Sequence, residues 1–167
     1  MSEVIVNASP LIFLGNAGRL ELLRNLGERV LVPLAVYEEV TSSEHCDRAA
    51  LAVKAALWIE PATGVLVPQV IAAWDLGPGE SEVIALGLET RDARLVIDDL
   101  AGRKCAAALA LDVIGTLGVV IAAYKRKEIE DPAAVLGELR DAGMWLSDTV
   151  LASALEMAGW KAEIAGA

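Results

Sequence analysis

The chain has 167 residues, with 14 Lys plus Arg against 24 Asp plus Glu, a formal net charge of −10. This length suits one domain, and 55% hydrophobic residues can fill a sizeable core. That composition excludes a disordered, collagen-like or coiled-coil chain, and two cysteines (Cys46, Cys105) with the single His45 exclude a disulfide framework and a Cys/His zinc site.

In chain order, Val4-Ile5-Val6 has strand character and runs into Asn7. Arg19 to Leu26 carries Leu20, Leu22, Leu23 and Leu26 as a helical stripe that stops at Gly27. Val30-Leu31-Val32 is a second strand, and Pro33 opens the next helix at Leu34. Asp47 to Leu57 is Ala-rich and helical, and Trp58-Ile59 adds a short strand. Pro78-Gly79 precedes a strong helical pattern from Glu80 to Glu89. Leu95-Val96-Ile97 is a strand ended by Asp98-Asp99, and Leu111 to Ile114 is a weaker one. Arg103 to Leu109, Leu117 to Arg126, Pro132 to Arg140 and Asp148 to Met157 complete the helices. Strands apolar at every position suit a parallel sheet covered on both faces, so the expected class is α/β with right-handed crossovers.

The stretch from Cys105 to Ala123 approaches the ~20 apolar residues of a membrane span. It contains Asp112, Gly115 and Gly118, and reads instead as a buried strand running into a helix. The amino terminus lacks a basic, then apolar, secretory pattern. The expected setting is the cytoplasm.

In open α/β sheets the binding crevice lies beyond the carboxyl ends of the strands. Asn7 with Ser9, and Asp98-Asp99, fall at such ends. Adjacent carboxylates repel at neutral pH, and such a pair raises a pKa or recruits a cation; otherwise one caps the next helix. At 100° per residue, Glu80 shares a face with Val83, Ile84, Gly87 and Leu88, while Glu82, Ala85, Leu86 and Glu89 point away. The helix dipole favours an acid in the first turn but does not explain its apolar side. Glu39 borders the Val36, Tyr37 and Val40 face of its helix. Asn7, Glu39, Glu80, Asp98 and Asp99 thus form a candidate ring of oxygen ligands for Mg²⁺ or Mn²⁺, apparatus suited to phosphodiester hydrolysis.

Five stretches in this order resemble a PIN-domain protein, in particular the bacterial and archaeal subgroup similar to VapC-type toxins. They are Val6-Asn7-Ala8-Ser9-Pro10-Leu11-Ile12, Val32-Pro33 through Glu39-Val40, Gly79-Glu80-Ser81-Glu82-Val83-Ile84, Ile97-Asp98-Asp99 with Arg103, and Gly115-Thr116-Leu117-Gly118. The resemblance covers residues 4–126, with a weaker match at 143–155. It implies a single three-layer α/β/α PIN-like domain over 1–167, its core about 4–126 and its C-terminal helices about 132–158. It also implies a metal-dependent endoribonuclease, the toxin of a toxin–antitoxin pair. Position by position, the first family acid falls at Asn7, the second at Glu39, the third at Glu80 (Glu82 the alternative) and the last at Asp99 or Asp98. Ser9 matches the hydroxyl residue beside the first acid, and Thr116 lies in a loop bordering the site. Asn7 departs from the usual Asp: it keeps a carbonyl oxygen but loses the charge. A catalytically weak or inactive PIN-like domain that binds RNA or protein is the alternative.

RNA as substrate must contend with the net charge. Basic residues gather at Arg91 with Arg94, at Arg103-Lys104 and at Lys125-Arg126-Lys127. Arg103 can face a phosphate or a site carboxylate; Lys125 to Lys127 suit a helix end. Trp58, Trp74, Trp145 and Trp160 read as packing anchors or subunit contacts rather than base-stacking groups. The partners expected from the resemblance are RNA, a small antitoxin protein inserting into the crevice, and a second copy in a homodimer, with no membrane.

Overall fold

The computed structural model describes residues 2–42 and 47–161; His45 and Cys46 lie outside them. Five parallel strands form one sheet in the order β3-β2-β1-β4-β5: β1 (Glu3–Val6), β2 (Arg29–Pro33), β3 (Ile59–Ala62), β4 (Arg94–Val96) and β5 (Asp112–Ile114). In β1, Val4, Ile5 and Val6 have no exposed surface, as a central strand covered on both faces requires. Glu3 stands opposite Arg29 and Arg94 opposite Asp112, and both pairs form ion pairs across neighbouring strands.

Around the sheet lie α1 (Ala8–Asn16), α2 (Leu34–Thr41), α3 (Arg48–Ala55), α4 (Gln69–Ala72), α5 (Pro78–Glu89), α6 (Leu100–Ala108), α7 (Thr116–Lys125), α8 (Pro132–Asp141) and α9 (Asp148–Ala158). α1 packs on α3 and on α7, which carries α8 and α9; α5 packs on α4, α6 and the central strands. With right-handed crossovers these groups fall on opposite faces, giving a three-layer α/β/α domain.

The expected helix over Leu20–Leu26 is a 3-10 helix. Leu20, Leu23 and Leu26 recur every third residue, so three residues per turn put all of them inward, and all are buried. α1 escapes the periodicity argument because Leu11 and Leu14 are buried while Ile12 and Phe13 also pack on the core. Pro10 sits within its first turn, where no intrahelical partner for an N–H is lost. In α5 the apolar face is wider than expected on one side: Ala85 is buried, whereas Leu88 is exposed. The Cys105–Ala123 stretch is divided among α6, β5 and α7, and no described helix is long and apolar enough to cross a membrane.

Candidate active site

The chain leaves β1 toward β2 and β3, then returns to the opposite side through β4, so β1 and β4 flank the switch point. A crevice opens there by topology alone. The backbone N–H of Asn7 donates to Val96 O at 3.0 Å, carrying the ladder one residue past the strand. Among the described residues the buried polar side chains are Asn7, Ser81 and Thr116, and all three lie at this end of the sheet.

Asn7 occupies the N-cap position of α1 but makes no capping hydrogen bond. Its side chain turns to Glu80, to which it donates. Glu80, in the first turn of α5, is half-buried, and its carboxyl is held above its ordinary pKa. Burial is the main cause, followed by the charges of Asp99 and Glu39; hydrogen bonds from the Gly77 backbone N–H and the Asn7 amide pull the other way.

Glycines floor this crevice. A methyl group built on Gly79 would lie 3.4 Å from Glu39 Oε2, 3.7 Å from Asn7 Oδ1 and 3.0 Å from Val36 Cγ2. One on Gly102 would lie 3.8 Å from Glu80 Oε1, and one on Gly77 3.8 Å from Glu80 Oε2. Glu80 therefore sits between the entries of α5 and α6, with Glu39 and Asn7 gathered over Gly79. Sequence pattern alone does not mark these glycines as site residues; Gly79 beside Glu80 is the available signal.

The two aspartates divide their work. Asp99 is the N-cap of α6, its Oδ2 accepting from Ala101 N at 2.8 Å and Gly102 N at 3.0 Å, and its charge bears on Glu80. Asp98 turns the other way. Its Oδ1 accepts from Thr116 N and its Oδ2 from Thr116 Oγ1, both at 2.7 Å, tying β4 to the start of α7. Thr116 is fully buried by this clamp rather than open to a ligand. The exposed Arg103 lies on the Asp98 side, its Nη1 3.5 Å from a methyl built on Gly115. Ser9 is half-buried in the first turn of α1, and Glu82, half-buried on α5, is not among the groups acting on Glu80.

Among the described residues no Lys or Arg forms an ion pair with Glu39, Glu80, Asp98 or Asp99. Glu39, Glu80 and Asp99 thus gather with no described Lys or Arg paired to them. Nor do the described residues hold a group of three His, Cys, Asp or Glu side chains arranged to grip a metal ion by themselves.

No curated protein matches the chain. The DUF3368 family, described as a PIN domain, matches residues 3–160. With this match spanning nearly the whole sheet-and-helix framework, the chain belongs to the PIN-domain family.

Proposed function

We propose that the protein is a divalent-metal-dependent endoribonuclease of the VapC-like kind, the toxin of a toxin–antitoxin pair, acting in the cytoplasm on RNA phosphodiester bonds. One observation carries the reading: the Glu39 and Asp99 charges converge on the half-buried Glu80 with no described Lys or Arg paired to any of the three. Three acids from separate elements, gathered with no paired Lys or Arg, repel one another and favour a bound cation.

The donor set suits Mg²⁺ or Mn²⁺, since all the side chains concerned offer oxygen. Mg²⁺ keeps several waters and is commonly held by one or two carboxylates with substrate phosphate, so a closed protein cage is not required. Glu80 and Asp99 are the proposed holding pair, with Glu39 and the Asn7 carbonyl beside them. A bound divalent ion supplies a polarised phosphoryl oxygen and a water of lowered pKa. In this reading Glu39, exposed at the crevice rim, takes the proton of the attacking water at Oε2. Arg103 binds a neighbouring phosphate oxygen, and Ser9 donates to the substrate. Asp98 and Thr116 position the α7 entry. The antitoxin covers the crevice and a second copy completes a homodimer; the exposed Leu66, Val70 and Trp74 in and around α4, which packs on α5, offer apolar area for such contacts.

The alternative, a binding module without catalysis, draws on Asn7, which brings an amide donor to Glu80 where another acid would strengthen an ion's hold. Cleavage of a labelled RNA with Mn²⁺ decides between them. Wild type should cleave, and EDTA or Glu80→Gln should each reduce the rate by at least about 100-fold, the range for a lost catalytic acid or base. Cleavage that persists in EDTA, or in Glu80→Gln, overturns the nuclease; RNA binding without cleavage supports the module.

A further inference from the structure

The chain has five lysines, and three of them, Lys125, Lys127 and Lys161, line one cleft of about 1100 Å³ at the opposite pole from the acids. Tyr124, Ile129, Ala158 and Trp160 form its apolar part, and Glu130 and Asp131 line it as well. α7 connects the two poles. It begins at Thr116, clamped to Asp98, and ends at Lys125, about 14 Å away at 1.5 Å per residue.

The cleft is built by two matching helix ends. α9 closes with Gly159 in the left-handed conformation, and the N–H of Trp160 donates to Leu155 O at 3.0 Å. α7 closes in the same way, with the N–H of Glu128 donating to Ala123 O at 2.9 Å, but its left-handed position is held by Lys127 at φ 63°. Glycine is the favoured residue there. The first turn fixes the Trp160 backbone at the cleft that Tyr124 also lines, and the second carries a lysine where conformation favours glycine. Lys125 suffices to offset the α7 dipole, so the dipole does not account for Lys127 or Lys161 beyond the helix ends.

The acids cancel only part of this charge. Asp131 also caps α8, its Oδ1 accepting from Ala134 N, and the cleft carries three lysines against the Glu130 and Asp131 carboxylates. Among the described residues none of these lysines forms an ion pair. Clustered cations beside two rings, in a chain of net charge −10, fit a polyanion with flat faces: single-stranded nucleic acid, whose phosphates pair with lysine and whose bases stack on aromatic rings.

We propose that the Tyr124–Trp160 cleft is a second, non-catalytic docking site for the RNA strand that the acidic crevice cuts. The proposal deepens the nuclease reading and rests on it for the identity of the strand. It reconciles an acidic protein with a polyanionic substrate by placing the attractive charge away from the acids. It also makes affinity depend on RNA length.

Binding can be tested apart from cleavage by anisotropy of a labelled RNA in EDTA, with strands of about 16 and about 4 nucleotides, the limits of known single-strand site sizes. The longer strand should bind. The combined Lys125→Ala, Lys127→Ala and Lys161→Ala variant should weaken it at least about tenfold and flatten the log K against log salt slope by about 2. Trp160→Ala should cost a further fivefold or more, the lower end for a lost stacking partner. Lys127→Gly, which suits the turn, keeps the test valid should the triple variant fold poorly; it should weaken binding while raising the thermal midpoint. Unchanged affinity in these variants, absent binding by wild type, or equal competition by polyglutamate overturns the docking site. Cleavage that persists in Glu80→Gln, with RNA binding still lost in the lysine variant, overturns the nuclease reading and leaves the docking site standing.

Discussion

Glu80 is placed where its own charge is unwelcome. Burial and the neighbouring Asp99 and Glu39 raise its pKa, so the folded protein holds its proton at pH values where the unfolded chain has released it. Folding stability attributable to this group therefore falls as pH rises from the ordinary glutamate range through the raised value. Without divalent ions, Glu80→Gln should unfold at a higher temperature than wild type at neutral pH. The gap should close as the pH drops to about 3, below the ordinary glutamate value, where both states are protonated. Thermal melts in EDTA at the two pH values check this; a variant less stable than wild type at neutral pH would refute it.

Asn7 is the complementary test. It is buried, and replacing it with Asp adds a further acid beside Glu80. Asn7→Asp should lower stability in EDTA and tighten Mn²⁺ binding by roughly tenfold, about 1.4 kcal/mol. Calorimetric titration with Mn²⁺ measures the second effect directly.

Among the elements, the helix contacts depend on missing side chains. A methyl on Gly15 would lie 2.9 Å from the Ala49 Cα, where α1 and α3 cross and the opposing atom belongs to backbone. Gly15→Ala should cost about 1–3 kcal/mol, as other overpacked contacts do, read from denaturant midpoints at constant slope. Lys127→Gly works in the opposite direction. Relieving a left-handed lysine should gain up to about 1 kcal/mol, which a docking role would explain having been forgone.

At the scale of the whole molecule, α8 is tied to the 3-10 helix by a forked ion pair. Arg19 Nε and Nη2 donate to Glu138 Oε2 and Oε1 at 2.7 and 3.0 Å. The Arg19 hydrogen bond holds Glu138 below its ordinary pKa, so its stabilisation is present above the unfolded glutamate range and is lost as pH falls through the lowered value. Both side chains are a third or more exposed, and solvent limits the effect. Glu138→Gln should cost up to about 1 kcal/mol at neutral pH and nothing in strong acid, measured as the difference between the two proteins' unfolding free energies.

The sequence by itself determined the α/β class, because uniformly apolar strands such as Val4-Ile5-Val6 alternate with capped, amphipathic helices, and these are local signals. It also marked Asn7, Glu80 and the aspartate pair, since polar groups ending buried strands or lying on an apolar helix face have few structural reasons to be there. It could not show α1, where burial on most sides erases the period, nor the three-residue turn of Leu20–Leu26. Only the tertiary structure separated Asp98 from Asp99: neighbours in a chain turn to opposite sides, and Thr116 is brought to Asp98 by the β4–β5 crossover alone. The tertiary structure likewise brought Trp160 and Lys161 to the cleft that Tyr124, Lys125 and Lys127 line. Two helix ends far apart in the chain become neighbours once their apolar faces are buried together, and no local pattern records which ends will meet.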